Sequence, residues 1–362
     1  MVPIKDQNKI AHFHVFFLIN SLQVGIGVLG FQRIIAKSVG NDGWMVIIIA
    51  GLLSHIILFM MYKIMRDSKG DIFTVHKETF GKWIGGAISS VFIIYLLILS
   101  ITVVRTYIEV IQVWMFPEIN VWIFSIFIML LAYYIITGGF RVVAGIAFFS
   151  ITLTAYLILT MVFPLPFASV RNLLPFFDHS VSEFAQGTRD MTLSMIGFET
   201  LLVYYPFLKN PEKSKKWAHL GVAYTTFSYL VYGITALIFF SEGHLEKKIW
   251  ATLSMWKVVE LPFVERFEYV GIATWMLVIL PNVCLTLWAS SRGIKRLFSI
   301  RQKTALIFLS AIVVISNGLI TSRKEIGWLN DTLGQFGFYY VYLYIPFLFM
   351  VILFLRKVRT KK

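Results

Sequence analysis

Apolar stretches long enough to cross a bilayer recur along the whole chain, at roughly 12–36, 43–65, 83–113, 120–137, 142–163, 189–208, 217–241, 266–289, 302–322 and 333–355. Within hydrocarbon the backbone can satisfy its own polar groups only as helices or closed barrels, and runs of this length are helical. The spacing therefore predicts an all-α integral membrane protein with about ten transmembrane helices in a single domain over residues 1–362. A composition that is 58% hydrophobic and only 14% charged agrees. The single cysteine, Cys284, excludes a disulfide framework. Lys5 and Lys9 precede the first apolar run as in a signal peptide, but no small-residue cleavage site follows, so the run reads as a retained span.

A formal net charge of +14 raises the question of nucleic acid, and the placement of the charge answers it. With the N-terminus inside, 22 of the 33 Lys and Arg fall in inside segments and 10 in outside segments. The inside set includes KNPEKSKK (209–216), SRGIKRLFSIRQK (291–303) and the tail RKVRTKK (356–362). By the positive-inside rule both termini are cytoplasmic. The basic runs are then topology determinants in contact with lipid headgroups, and no nucleic-acid partner is expected.

Ten spans divide into two groups of five. An odd group starts inside and ends outside, so the second must enter with opposite orientation, as in inverted repeats that place ligands at broken helices near the midplane. The halves would be about 12–163 and 189–355. The first span is interrupted at Gly25-Ile26-Gly27, within NSLQVGIGVLGF. The sixth, MTLSMIGFETLLVYYPF, is interrupted at the matching place by Gly197-Phe198-Glu199. Each helix glycine costs about 1 kcal/mol relative to Ala, and freed backbone groups at membrane depth persist only where they line a cavity or are buried in protein. Amide N–H groups exposed near Gly27 suit a carboxylate. Carbonyls near Gly197, with Glu199, suit an ammonium group. Together they describe a site for a zwitterionic amino acid; close helix packing by small residues is the alternative.

Other polar residues in apolar stretches allow two readings each. Glu199 contacts a ligand, or is a protonated structural donor. Arg105 and Glu109, four apart on one helix face, form a buried ion pair that is structural or serves gating. Asn282, beside Pro281, lines the site or satisfies a helix kink. The seven histidines are scattered without accompanying carboxylates, so no metal is expected. HExxH, GxSxG and GxxxxGK[ST] motifs are absent; neither an enzyme activity nor a cofactor is expected. Residues 164–188 and 242–265, the two long outside linkers, suggest a short surface helix and a lid or partner surface.

The glycine break of the first span and the IGFE of the sixth resemble the amino acid/polyamine/organocation transporter superfamily. Within it the chain resembles the endospore germination permeases, the B subunits of nutrient germinant receptors. The likeness rests on Gly25-Ile26-Gly27, Gly43-Trp44, Arg105 and Glu109 before Phe116-Pro117, Asn172-Leu173-Leu174-Pro175, Gly197-Phe198-Glu199 and GIKRLF at 293–298. The resemblance implies a ten-span bundle in the spore inner membrane that binds a small nutrient, often an amino acid. It also implies a larger A subunit and a lipoprotein C subunit as partners. Pockets of such proteins are built from spans one, three, six and eight, which adds Leu99, Ile196 and Asn282 as lining positions. The fifth span lacks the lysine that replaces sodium in proton-coupled relatives. This favours sensing over the other function considered, autonomous secondary amino-acid transport.

The charge distribution yields a topology test. A reporter that is active only in the cytoplasm, fused after Lys362, is expected to be active. The same reporter inserted in the 242–265 linker is expected to be silent, and the reverse pattern would overturn the orientation.

Overall fold

A computed structural model describes residues 4–66, 68 and 70–359. Residues 1–3, positions 67 and 69, and residues 360–362 of the basic tail lie outside the described residues. Among those described, seven helical stretches are long and apolar enough to cross a membrane. They are Phe31–Arg66, Ile72–Trp114, Phe140–Phe167, Pro211–Phe239, Phe267–Phe298, Gln302–Leu319 and Arg323–Lys357; Val121–Thr137 is apolar but shorter. The first and sixth stretches anticipated from sequence do not qualify, because both are broken into short pieces.

The starts of the helices follow local side-chain chemistry. The Asp71 carboxylate accepts from the Thr74 N–H at 3.3 Å, and Asn120 Oδ1 from the Ile123 N–H at 3.1 Å. Ser180 with Glu183, and Ser322 with Glu325, form reciprocal capping boxes that satisfy otherwise orphaned N–H groups. The Ser180 box starts the Val181–Asp190 helix, the surface helix expected in the 164–188 linker, although it begins near that linker's end. In Ile72–Trp114 the chain turns sharply at Gly81, whose φ of +80° lies where only glycine is unstrained.

The framework is the pairing of Ile72–Trp114 with Phe267–Phe298. Ser100 and Thr286 hydroxyls lie 2.7 Å apart, and Tyr107 donates to the Ile272 carbonyl at 2.9 Å. At one end Asp71 faces two guanidiniums, Arg296 at 3.3 Å and Arg292 at 3.6 Å. Gly293 lets the two backbones approach: a Cβ there would lie 2.6 Å from Ile93 and 2.7 Å from Phe73.

Pro211–Phe239 packs along the first broken segment. There Asn20 Nδ2 donates to Thr225 Oγ1 at 2.9 Å. A short parallel pairing closes the same side of the bundle. The Ile10 N–H donates to the Phe207 carbonyl, and the Lys209 N–H to the Ile10 carbonyl. It joins the chain entering the first broken segment to the chain leaving the second.

Replacing Gly293 with Leu forces the two framework helices apart and is expected to destabilise the protein by about 1–3 kcal/mol, as overpacking does. A lowered unfolding temperature of the purified protein in detergent would show it. An unchanged temperature would mean that this contact is looser than described.

Candidate functional site

The first break lies between His14–Gln23 and Phe31–Val39. Val24 and Gly25 are extended, with ψ of 90° and −148°, and a single tight turn, Ile26–Leu29, follows. The second lies between Thr192–Met195 and Leu201–Tyr204: Ile196 is extended, Gly197 has φ +106°, and Phe198–Thr200 form one tight turn. A Cβ on Gly197 would sit 3.1 Å from the Leu22 side chain and 3.2 Å from its carbonyl oxygen, so the two breaks pack directly on each other.

Hydrogen bonds across the breaks use the carbonyls that unwinding releases. Tyr229 Oη lies 2.9 Å from both the Gln23 and the Ser194 carbonyl oxygens and donates its proton between them. Gln23 Nε2 donates to the Met195 carbonyl at 2.9 Å. Asn282 Nδ2 donates to the Ser21 carbonyl at 2.7 Å and to the Val278 carbonyl at 3.0 Å. Asn282 thus bonds both its own helix and the broken one. The donors are treated differently: the N–H groups of Gly25, Ile26 and Gly27 have no hydrogen-bond partner among the described residues.

These groups border a cavity of about 340 Å³. Of the residues anticipated from sequence, Gly25, Ile26, Gly27, Leu99, Ile196 and Asn282 line it; Gly197, Phe198 and Glu199 do not. Glu199 requires a correction. Its side chain is fully buried, with Oε1 accepting from Tyr95 Oη at 2.7 Å and Oε2 from the Gly197 N–H at 2.8 Å. It braces the second break from behind and does not line the cavity. Beside the first break the cavity-lining residues include two amides, Gln23 and Asn282. Gln23 Oε1 is buried without a partner, and Asn282 Oδ1 lies 3.1 Å from where a Gly25 Cβ would stand.

The expected Arg105–Glu109 pair is also replaced. Glu109 takes a two-pronged bond from Arg323, at 2.6 and 2.7 Å, while Arg105 Nε donates to the Ile320 carbonyl at 2.6 Å. Helical spacing placed both on one face, but Arg323, at the start of the next helix, takes Glu109, and the Ile320 carbonyl in the loop before it takes Arg105. Arg323 lines the cavity at its far end with Arg33 and Asp331.

The 242–265 linker packs over the first break. Thr252 Oγ1 donates to the Val28 carbonyl at 2.8 Å and accepts from Gln32 Nε2 at 2.7 Å, and Ile249 and Trp250 join the wall. Sequence reasoning missed Gln23, Ser194, Tyr229 and Trp250. A tyrosine at the middle of the 217–241 stretch was the one available signal, since a buried hydroxyl there needs a partner.

The bracing role of Glu199 separates two substitutions. Glu199→Ala leaves the Tyr95 hydroxyl and the Gly197 N–H buried and unpaired and is expected to destabilise by about 1–3 kcal/mol per orphaned group. In Glu199→Gln the amide oxygen can serve Gly197 and the amide nitrogen can donate to Tyr95, so most stability is retained. Thermal unfolding of both variants in detergent checks this; equal losses would contradict it.

Comparison with known proteins agrees with this geometry. A family model described as "Spore germination protein" matches residues 9–326. Spore germination protein GerQB of Bacillus cereus is 44% identical over 350 residues, covering 97% of each chain. Spore germination protein A2 of Bacillus subtilis is 22% identical over 361 residues, covering 98% of each. Two solved structures share the fold at low identity. The substrate-bound outward-open state of a Na+-coupled sialic acid symporter aligns with a TM-score of 0.71 at 13% identity, covering 95% of this chain and 79% of that one. MhsT in complex with L-phenylalanine aligns with a TM-score of 0.67 at 16% identity, covering 95% and 88%. With its span-length helices, its transporter-like fold and a family match over most of its length, the chain is a multi-pass integral membrane protein and belongs to the spore germination permease family.

Proposed function

We propose that this protein is the membrane subunit of a germinant receptor and binds a small zwitterionic nutrient, such as an amino acid, at the two helix breaks. The observation that carries the reading is the set of three unpaired N–H groups, Gly25 to Gly27, at the wall of a cavity large enough for an amino acid. They are donors for a carboxylate. The amide oxygens of Gln23 and Asn282 are acceptors for an ammonium group. Leu22, Phe31, Leu99, Val103 and Ile196 supply an apolar wall for a side chain.

In this reading the seven long helices, the shorter Val121–Thr137 and the two broken segments make ten crossings, arranged as two inverted five-helix halves. Both termini face the cytoplasm of the spore, across its inner membrane. Occupancy draws the breaks and the covering 242–265 linker together, and the change passes to a larger A subunit and a lipoprotein C subunit. The second reading, secondary transport, draws support from the fold shared with a Na+-coupled symporter. Uptake of labelled amino acid by vesicles containing the purified chain alone would favour transport; binding without uptake favours the receptor.

Ligand-dependent stabilisation tests the site. An amino acid present at about 100 times its Kd should stabilise the purified protein by about 2.7 kcal/mol, visible as a raised unfolding temperature. Val103→Trp fills the cavity and is expected to abolish that rise while the ligand-free protein still unfolds cooperatively. A rise of wild-type size in a folded Val103→Trp protein would remove this cavity as the site.

A further inference from the structure

A second cavity, of about 310 Å³, lies at the opposite end of the bundle, near the Ile10–Phe207 pairing. It is bounded by the starts of Phe140–Thr154 and Gln302–Leu319 and by the end of Phe267–Phe298. Arg292, Lys295 and Lys303 line it, and no carboxylate is among its lining residues. The Arg292 guanidinium rests 4.5 Å over the Phe207 ring and 5.9 Å from that of Trp288. Its Nε is buried without a partner, and its approach to Asp71 is a long 3.6 Å. Asp71 is nearer to Arg296, at 3.3 Å, so one carboxylate is shared between two guanidiniums and the cluster keeps a net positive charge.

Backbone donors add to the side-chain cations. The Phe140–Thr154 and Gln302–Leu319 helices begin at this cavity, at Gly139 and Arg301, with no side chain capping either first turn. Their leading N–H groups lack intrahelical partners, and each helix end carries partial positive charge. Gly139 has open space where a side chain would stand. The remaining wall is apolar, including Ile136, Phe140 and Leu306.

We propose that this cavity binds a phosphate group. One held guanidinium, Arg292, with two flexible lysines and uncapped helix N–H groups around it, matches the many acceptor oxygens of a phosphate better than the two of a carboxylate. The phosphate could be carried by an anionic phospholipid, whose glycerol and acyl chains would lie along the apolar wall, or by a soluble phosphate. The site is separate from the nutrient cavity and does not depend on what that cavity binds.

The test uses the full chain purified in neutral detergent, with two probes: phosphatidylglycerol, read as lipid retained in native mass spectrometry, and inorganic phosphate, read by titration calorimetry. The variant is Lys295→Ala/Lys303→Ala, both exposed positions, and the control is Lys213→Ala/Lys216→Ala, exposed cations outside the cavity. Binding of at least one probe is expected to weaken about tenfold or more in the cavity variant and to stay at wild-type strength in the control. Loss confined to phosphatidylglycerol assigns the site to a lipid headgroup, and loss of inorganic phosphate binding assigns it to a soluble anion. Lys295→Arg/Lys303→Arg, which keeps both charges, is expected to restore binding and guards against misfolding. Equal binding of both probes by the cavity variant and the control, or no binding of either probe by the wild type, would overturn the proposal.

Discussion

The structure depends on one hydroxyl proton shared between two carbonyl oxygens, that of Tyr229 between Gln23 and Ser194. Unwinding a helix inside a membrane strands backbone groups that no water can reach, and each stranded group costs on the order of 1–3 kcal/mol. Here two unwindings are placed against each other and share their solutions. Tyr229, Gln23 and Asn282 take up carbonyls of both breaks, Glu199 takes the Gly197 N–H, and Thr252 takes the Val28 carbonyl. The acceptors are provided for, and the donors of Gly25–Gly27 are left open to the cavity. That asymmetry is what the proposed recognition of a carboxylate rests on.

The breaks themselves were legible in the sequence, because glycines at 25–27 and 197 in otherwise apolar spans weaken a helix and free its backbone to leave helical geometry. The cavity positions Leu99 and Ile196 were reached through the resemblance to known permeases, not through periodicity, while Asn282 stood out as an amide beside Pro281. Side-chain direction was not legible. Glu199 stands one residue into a tight turn, and whether it faces a cavity or folds back on Gly197 depends on Tyr95, more than a hundred positions away. Arg105 and Glu109 failed for a related reason. Spacing of four places two residues on one face, but it says nothing about a loop such as 320–323 that arrives from another part of the chain.

Many of the polar side chains in the interior bond a backbone carbonyl or another neutral side chain. Asn282 and Thr286 act on one helix, Ser100 and Tyr107 on its neighbour, and Thr225 bridges to Asn20. Such bonds fix helix register without placing charge in hydrocarbon. The buried ion pairs of the framework sit near its ends, Asp71 with two arginines at one end and Glu109 with Arg323 at the other. Between them the broken segments are held by hydrogen bonds, in which Glu199 is the one acidic side chain.

The pairing of Ile10 with Phe207 and Lys209 amounts to a clasp made of only two backbone hydrogen bonds. It joins the chain entering the first break to the chain leaving the second, away from Arg33 and Asp331 at the other end of the cavity. Each bond contributes about 1 kcal/mol net, so the clasp is a weak one. The hold between the entry to the first break and the exit from the second rests on the few residues ahead of the first helix, although none of them lines the cavity at the breaks.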